Sequence, residues 1–272
     1  NKVEVMDAAN ARRIKQIELQ NCRYITFADG KAYISSYAGP VEIDPKSPPG
    51  VVAEVDTATM QIIRKVTVGY QPEEMAIVNG KLYVANSGGY RPPVYDSTVS
   101  VIDLSTFKEI KRIHVDINLH HLKADSDGDL YVTTRGDYYD RPSATYVIDT
   151  KTDMVKKRFA LSATNLCIMG DTAYVYGSEY HYPTASWKFT YGMINVRTET
   201  ILPGNFITDG TEKAFKKPYG IMVDPETRDI YVTDARDYVS PGTLYCFNKL
   251  GKKKWSVTTG DIPAHMVFLP LT

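Results

Sequence analysis

Three observations predict an all-β protein built from repeats of one four-stranded antiparallel unit. The first is a set of four short runs rich in Val, Ile and Tyr, the composition of β-strands, at residues 74–78, 82–86, 98–103 and 109–115. The second is the set of turn signals between these runs, at Asn79-Gly80, at the long loop 87–97 and at residues 104–106. The third is that the same unit recurs along the chain.

Two positions show this recurrence most clearly. A tyrosine of the second strand repeats as Tyr33, Tyr83, Tyr131, Tyr174 and Tyr231. An acidic or amide residue at the end of the third strand repeats as Asp7, Asp56, Asp103, Asp149, Asn195 and Asn248. Four strands in roughly 40 to 50 residues are typical of a β-propeller blade, so we expect a single β-propeller domain over residues 1–272.

The repeat is incomplete at both ends of the chain. Residues 3–7 match residues 99–103, which predicts a third and a fourth strand formed by residues 1–8 and 12–19. Five complete blades follow, beginning near Arg23, Glu73, His120, Thr164 and Tyr219. Residues 263–269 match residues 72–78 and predict a lone first strand. Either this strand closes a six-bladed ring against residues 3–19, or sequence before Asn1 completes a seven-bladed ring.

Composition narrows the function. Lys plus Arg equals Asp plus Glu at 32 each, so no basic or acidic excess points to nucleic acid or to an anionic membrane surface. No apolar run approaches the roughly 18 residues of a transmembrane helix. Cys22, Cys167 and Cys246 are too few and too scattered for a disulfide framework, and we expect buried free thiols.

The sequence contains no recognised catalytic or cofactor motif. The nucleophile elbow, the P-loop, the dinucleotide fingerprint, His-Glu-x-x-His and Cys-x-x-Cys are all missing from it, which argues against an enzyme and against a bound cofactor. Residues 125–129 resemble part of a calcium loop but fall in a hairpin turn without the downstream Glu. His121 and His265, with Glu74, are the one weak candidate for a metal site. Since neighbouring strand residues point to opposite faces, His120 and His121 should not both bind one metal ion.

The connections between second and third strands are long and aromatic, and strand order places all five on one face. They are the predicted loops 36–50, 87–97, 135–144, 177–190 and 235–242. Tyrosine joins a large apolar body to a polar tip at low entropic cost, which suits a ligand or partner surface. Such loops also pack on one another without any ligand, and this alternative stays open. The candidate binding residues in these loops are Tyr37, Tyr90, Tyr95, Asp96, Arg135, Asp137, Tyr138, Tyr139, Tyr180, Tyr182, Trp187 and Tyr238.

The first strands add a polar ring to the same face. Alternation predicts one polar position per strand at the mouth of the propeller channel, next to an apolar position that packs between blades. The aligned residues are Tyr24, Glu74, His121, Asn165, Gly220 and His265, and we take Glu74, His121, Asn165 and His265 as further candidate binding residues. A channel filled with water needs only polarity, so this ring does not require a ligand.

The stretch VTVGYQPEEMAIVNGKLYVANSGG, followed by STVSVIDLSTFKEIKRI, resembles the YVTN-type repeat of the YncE-like β-propellers. The form KLYVANSGGY, with Tyr95-Asp96 before TVSVIDL, is similar to the surface lipoprotein propellers of gut Bacteroidetes, whose BtuG-type members bind corrinoids. The resemblance implies seven blades, a lipidated N-terminal cysteine that anchors the protein at the outer membrane, and a neighbouring TonB-dependent transporter. The given chain lacks that cysteine and about one blade.

Two functions from different classes follow. The first is a non-catalytic cell-surface protein that captures a large ligand, with a corrinoid of the vitamin B12 type implied by the resemblance, for a TonB-dependent outer-membrane transporter. The second is a structural or protein-interaction module without a small-molecule ligand. A propeller is a scaffold whose loops set specificity, so the fold alone does not choose between them.

Overall fold

The computed structural model describes residues 1–268 and consists of antiparallel β-sheets joined by turns and loops. The first sheet has two strands, β1 (Lys2–Met6) and β2 (Arg13–Glu18). The second contains β3 (Cys22–Ala28), β4 (Lys31–Ser36), β5 (Val51–Asp56) and β6 (Gln61–Thr67). The third contains β7 (Pro72–Val78), β8 (Lys81–Asn86), β9 (Thr98–Asp103) and β10 (Lys108–His114).

Three further sheets repeat this order. The fourth contains β11 (Leu119–Ala124), β12 (Leu130–Thr134), β13 (Thr145–Asp149) and β14 (Met154–Phe159). The fifth contains β15 (Asn165–Met169), β16 (Thr172–His181), β17 (Ser186–Asn195) and β18 (Thr200–Leu202). The sixth contains β19 (Pro218–Val223), β20 (Ile230–Asp234), β21 (Thr243–Phe247) and β22 (Lys253–Thr258). The only helical segments of residues 1–268 are two 3-10 turns, Tyr182–Thr184 and Thr211–Ala214.

These sheets confirm the predicted repeat of five complete units preceded by half of one. The recurring tyrosines, from Tyr33 to Tyr231, lie at the second or third residue of the second strand in every complete sheet. The hairpin predicted for residues 1–8 and 12–19 is also present, with Lys2 opposite Glu18 and Val5 opposite Lys15.

The recurring Asp or Asn position has a physical explanation. It is the last residue of the third strand or the one directly after it, and its side-chain oxygen accepts hydrogen bonds from backbone N–H groups two or three residues later, which closes the turn into the fourth strand. Asp56 Oδ1, for example, accepts from the N–H groups of Ala58 and Thr59 at 3.0 and 2.9 Å. Asn195 plays the same part toward Thr198 at 2.9 Å. Carboxylate and amide oxygens serve equally here, which is why the repeat tolerates both.

By its internal contacts the chain divides into two compact units. The first unit holds residues 1–124, 128–137 and 146–158, and the second holds residues 125–127, 138–145 and 159–268. In the first unit the core lies between neighbouring sheets, with apolar residues of β7, β8 and β9 packed on those of β11 and β12. In the second unit, Phe206, Phe215 and Phe247 centre a separate core.

Three predictions of local structure need correction. The predicted loop 177–190 is mostly strand, because β16 and β17 continue their pairing as far as His181 opposite Ser186. The predicted lone strand 263–269 is not formed, since residues 263–268 pair with no strand and Leu269 lies outside the described residues. Of the three cysteines, which are all free, only Cys246 is fully buried, whereas Cys22 and Cys167 are half-buried.

Candidate functional site

The first strands of four sheets begin with the same irregularity. In β3, β7, β11 and β19 two consecutive residues lie opposite a single residue of the neighbouring second strand, which is the geometry of a β-bulge. The bulged pairs are Arg23 and Tyr24, Glu73 and Glu74, His120 and His121, and Tyr219 and Gly220.

The expectation that adjacent residues of these strands point to opposite faces is wrong at the bulge, where two neighbouring side chains can lie side by side. The rings of His120 and His121 lie with centroids only 3.9 Å apart, because the extra residue breaks the alternation of a regular strand. In β4 and β12 a hydroxyl of the second strand compensates for the broken ladder. Thr133 Oγ1 accepts from the N–H of His121 at 3.1 Å, and Ser35 Oγ accepts from that of Tyr24 at the same distance.

In the first unit the bulged pairs form one polar cluster around two glutamates. Glu73 is fully buried, and its Oε1 accepts from Tyr37 Oη at 2.6 Å, from Ser87 Oγ at 3.3 Å and from Arg135 Nη1 at 3.3 Å. Arg23 Nε lies 3.6 Å from Oε2, which is too long for a hydrogen bond and leaves Oε2 without one. One buried carboxylate thus faces two guanidinium groups.

The neighbouring Glu74 contacts different residues from those that contact Glu73. Its Oε2 lies 2.9 Å from His121 Nδ1 and accepts from the N–H of Leu122 at 3.1 Å, while Oε1 accepts from Lys123 Nζ at 2.6 Å. Burial alone would raise the pKa of Glu74, but Lys123 and His121 hold it well below its usual range. Glu74 is therefore ionised at neutral pH.

Tyr24 and Tyr37 complete the cluster. Tyr24 Oη lies 2.8 Å from His120 Nε2, and its ring meets that of His121 edge-on at 5.8 Å. Burial, and then the charge of Glu73, raise the pKa of both phenols well above the ordinary value, so both stay protonated.

The second unit contains an aromatic cluster of a different kind. It consists of Tyr138, Tyr139, Tyr180, Tyr182, Trp187 and Phe189, with Lys217 beside them. Tyr139 stacks on Tyr182 at 5.3 Å, Tyr180 contacts Trp187 at 5.2 Å, and Lys217 Nζ lies 3.9 Å above the indole ring. Tyr139 and Tyr182 remain 54% and 56% exposed, and Trp187 37%. Exposed aromatic rings in mutual contact form a platform for another flat or apolar group.

The extended hairpin explains why this platform is ordered. The ten-residue strands β16 and β17 pair in unbroken register, and Ala185 closes the turn in the left-handed region at φ 49°. The backbone N–H of Tyr182 then donates to the carbonyl of Tyr138 at 3.0 Å, and Glu179 Oε1 accepts from the N–H of Ser143 at 2.7 Å. The loop that carries Tyr138 and Tyr139 is thereby fixed to the hairpin.

Several predicted binding residues instead hold the loops themselves. Asp96 is buried and accepts from the N–H groups of Tyr70 and Thr98 at 2.7 and 2.9 Å, so it clamps the start of β9. Tyr37 is buried on Glu73 rather than presented to solvent. Asn165, also buried, donates to the carbonyl of Tyr219 at 3.0 Å.

The structure places the remaining candidates as follows. In the first unit, Tyr90 is exposed with its ring edge against Tyr37 at 6.2 Å, whereas Tyr95 and Asp137 are half-buried. In the second unit, Tyr238 is half-buried against Tyr219 at 5.7 Å, and His265 is exposed in an irregular segment. The candidates therefore divide between the polar cluster, the aromatic cluster and the loop supports, and do not form one uniform set.

Sequence reasoning missed five members of the polar cluster as site residues, namely Arg23, Tyr24, Glu73, His120 and Lys123. A usable signal was the pair of adjacent polar residues at the start of successive first strands. In a regular strand half-buried between sheets, polar and apolar residues would alternate there, so two polar residues in a row depart from that pattern. Among residues 1–268, no group of three or more His, Cys, Asp or Glu side chains has the arrangement of a metal site. No helix within this part of the chain is long and apolar enough to cross a membrane.

Comparison with solved structures shows the fold. The chain is similar to hydrazine synthase of Kuenenia stuttgartiensis, at 19% identity and a TM-score of 0.63, over 87% of this chain and 65% of that chain. It is also similar to the Cps50 (Swd1) β-propeller domain of Myceliophteria thermophila, at 14% identity and a TM-score of 0.58, over 86% of this chain and 67% of that one. The WD40 domain of Neurospora crassa Pan2 matches 95% of this chain and 72% of its own, at 10% identity and a TM-score of 0.64.

These matches, with the observed sheets, identify the fold as a β-propeller of four-stranded antiparallel blades. The chain spans 65% of the length of the hydrazine synthase chain. No protein-family model matches the sequence, and the search of curated proteins finds no match either. At identities this low the likeness concerns the fold, and function has to be argued from the sites.

Proposed function

We propose that this protein is a non-catalytic binding protein that captures a large, flat, partly apolar ligand on the aromatic cluster of the second unit. The observation that carries the proposal is the stacked and exposed set of rings on the β16–β17 hairpin and on the loop fixed to it, above all Tyr139, Tyr182 and Trp187. Soluble proteins seldom leave so many mutually contacting aromatic rings exposed unless another molecule covers them. Because the hairpin is already ordered, binding would cost little conformational entropy.

A corrinoid of the vitamin B12 type has the properties that this cluster would recognise. It is a large and nearly rigid disc with an apolar body and amide arms, so tyrosine rings can cover its face while their hydroxyls hydrogen-bond to its amides. The resemblance to surface propellers of the BtuG type supports the same ligand. It also supports a location at the cell surface and delivery of the ligand to a TonB-dependent outer-membrane transporter.

Trp187 gives a direct test. Cyanocobalamin absorbs light in the range where indole emits, so binding beside Trp187 should quench its fluorescence in a saturable way. The chain has two tryptophans, and the variant W255F leaves Trp187 as the only reporter. In that background, Tyr182→Ala should weaken binding roughly tenfold, since it removes a ring contact worth about 0.5–1.5 kcal/mol together with its buried area.

The control uses the converse variant. Trp255 is 42% exposed on β22, where its partner is Tyr231 and not the hairpin. W187F, in which Trp255 alone reports, should therefore show much weaker quenching, while calorimetry still detects binding. If neither fluorescence nor calorimetry finds saturable binding of corrinoids at micromolar protein, the proposed ligand is wrong.

A second candidate function, protein docking, rests on a separate observation in the first unit. Val41, Ile43 and Val94 are exposed on two loops that are fastened together. Two hydrogen bonds hold these loops together. The N–H of Asp44 donates to the Tyr90 carbonyl at 2.9 Å, and the Arg91 guanidinium donates to the Pro45 carbonyl at 2.7 Å. Ordered loops with exposed apolar tips suit a protein partner. Co-purification of a transporter that V94D abolishes and Y182A leaves intact would favour this function.

A further inference from the structure

A lysine ammonium group lies against the rings of the aromatic cluster. Lys217 Nζ is 3.9 Å from the centre of the Trp187 ring and lies above its face. The Trp187 ring is in turn stacked with Phe189 and in contact with Tyr180. Because the face of an indole attracts a cation, this contact fixes the position of the ammonium group relative to the rings.

The backbone of Lys217 is held in place by a buried carboxylate. Asp234 is 3% exposed and accepts from the N–H of Lys217 at 2.7 Å, and from those of Lys216 and Arg236 at 3.0 Å each. The N–H of Ala235 donates to the Lys217 carbonyl at 2.8 Å. Asp234 therefore uses its oxygens on backbone N–H groups, and these bonds fix the point from which the Lys217 side chain reaches Trp187.

The ammonium group itself has few partners for its charge. Within residues 1–268, Lys217 Nζ donates one hydrogen bond, to the carbonyl of Lys216 at 3.3 Å, and forms no ion pair. The side chain is half-buried, and this burial lowers the pKa of Lys217, while the charge of Asp234 raises it in part. A positive charge that has lost part of its water and has no ion pair favours an anion that can reach it.

We propose that the ligand of the aromatic cluster carries a negatively charged oxygen group, a carboxylate or a phosphate, which binds Lys217 while the flat body of the ligand lies on the rings. This inference rests on the proposed function, since the rings must hold a flat ligand, but it does not require that ligand to be a corrinoid. The rings provide contact area for any flat molecule, and the fixed ammonium group selects the acidic ones among them.

Calorimetric titration of the full chain tests the proposal with three probes that share one ring system, at constant ionic strength and pH 7. The probes are 2-naphthoate, 2-naphthyl phosphate and the neutral 2-naphthamide. At least one of the two acids should bind roughly tenfold more tightly than the amide, as expected for a charge-assisted hydrogen bond, and the stronger acid identifies the anionic group. Lys217→Gln should weaken that acid to the level of the amide and leave the amide unchanged, whereas K217R should keep the preference.

Lys188→Gln is the matched control. Lys188 is exposed on β17 between Trp187 and Phe189, and strand alternation points it away from the face that carries these stacked rings. K188Q therefore loses the same charge from the same hairpin and should bind all three probes as the wild type does. Should K217Q fail to fold, K217M repeats the test with the apolar stem retained.

The outcomes separate this proposal from the corrinoid proposal. Equal binding of the amide and both acids, or an equal loss in K188Q and K217Q, would overturn the anionic ligand and leave capture of a corrinoid on the rings intact. Absence of binding by all three probes at millimolar concentration would overturn it as well. Selective binding of an acid by a chain that does not bind cyanocobalamin would support the anionic ligand and show that the corrinoid is the wrong flat body.

Discussion

Removal of the Glu74 carboxylate should lower the free energy of unfolding of the first unit, and the contacts of Glu74 determine by how much. In Glu74→Ala the buried N–H of Leu122 loses its acceptor, at a cost of about 1–3 kcal/mol, and His121 loses a charged partner worth about 1.5–3 kcal/mol. Lys123 is substantially exposed, so its ion pair adds only about 0–1 kcal/mol. We expect a total loss of about 3–5 kcal/mol in the free energy of unfolding, the usual cost of breaking a buried pair.

The dependence on pH gives the same prediction a second readout through Glu74→Gln. Gln keeps the shape and can still accept from Leu122, so the loss at pH 7 should be smaller, about 1–2 kcal/mol. Because the folded state lowers the pKa of Glu74, its ionised form stabilises the fold above the unfolded pKa of about 4.3, and this contribution is lost as the pH falls further. The difference between wild type and E74Q should therefore shrink below pH 4.

Urea denaturation at several pH values measures both effects. Glu109→Ala is the control, since Glu109 belongs to a solvent-exposed pair with Arg112 and should change stability by less than about 1 kcal/mol. The reasoning is refuted if E74A costs no more than E109A. It is also refuted if the gap between wild type and E74Q keeps its size from pH 7 to pH 3.

Two further substitutions test the packing of the repeat. Tyr83→Phe removes a hydroxyl that donates to Asp153 at 2.7 Å from a fully buried ring, so it should cost about 1 kcal/mol in urea denaturation. The equivalent change at Tyr33, whose hydroxyl has no hydrogen-bond partner within residues 1–268, should cost less, and an equal loss in both would contradict the assignment. Gly69→Ala should lower stability by about 1–3 kcal/mol, because a Cβ there would lie 2.4–2.6 Å from two neighbouring side chains. Gly260→Ala, with nothing within 4 Å of the new carbon, should be nearly neutral in the same urea denaturation.

The sequence was most informative where local chemistry repeats. The Asn79-Gly80 turn could be predicted because its residues take φ values of 49° and 75°, which few other residue pairs adopt easily. Asp103 and its equivalents could be placed because an Asx turn needs a side-chain oxygen at a fixed position. Such features depend on a few neighbouring residues and are visible in any single copy of the repeat.

The site was less predictable because it depends on departures from the repeat. A bulge in β11 brings His120 beside His121, and no residue type marks a bulge as reliably as Asn-Gly marks a turn. Whether Tyr37 faces solvent or Glu73 depends on a contact across 36 residues of sequence. Residues 177–190, the outer part of the β16–β17 hairpin, were predicted as a loop because Gly177 and a Tyr-rich sequence are compatible with a loop as well as with a strand.

The bulge at the start of the first strands has a consequence for how such a protein diversifies. A regular strand would offer one variable position per repeat at this end, whereas a bulged one offers a dipeptide. In the described chain the four dipeptides are Arg-Tyr, Glu-Glu, His-His and Tyr-Gly. Since the surrounding ladder is the same in each, duplication or exchange of a whole repeat during evolution would transplant an intact pair of functional groups. New combinations of charge could then arise by recombination of repeats, without a single substitution in the strands that hold them.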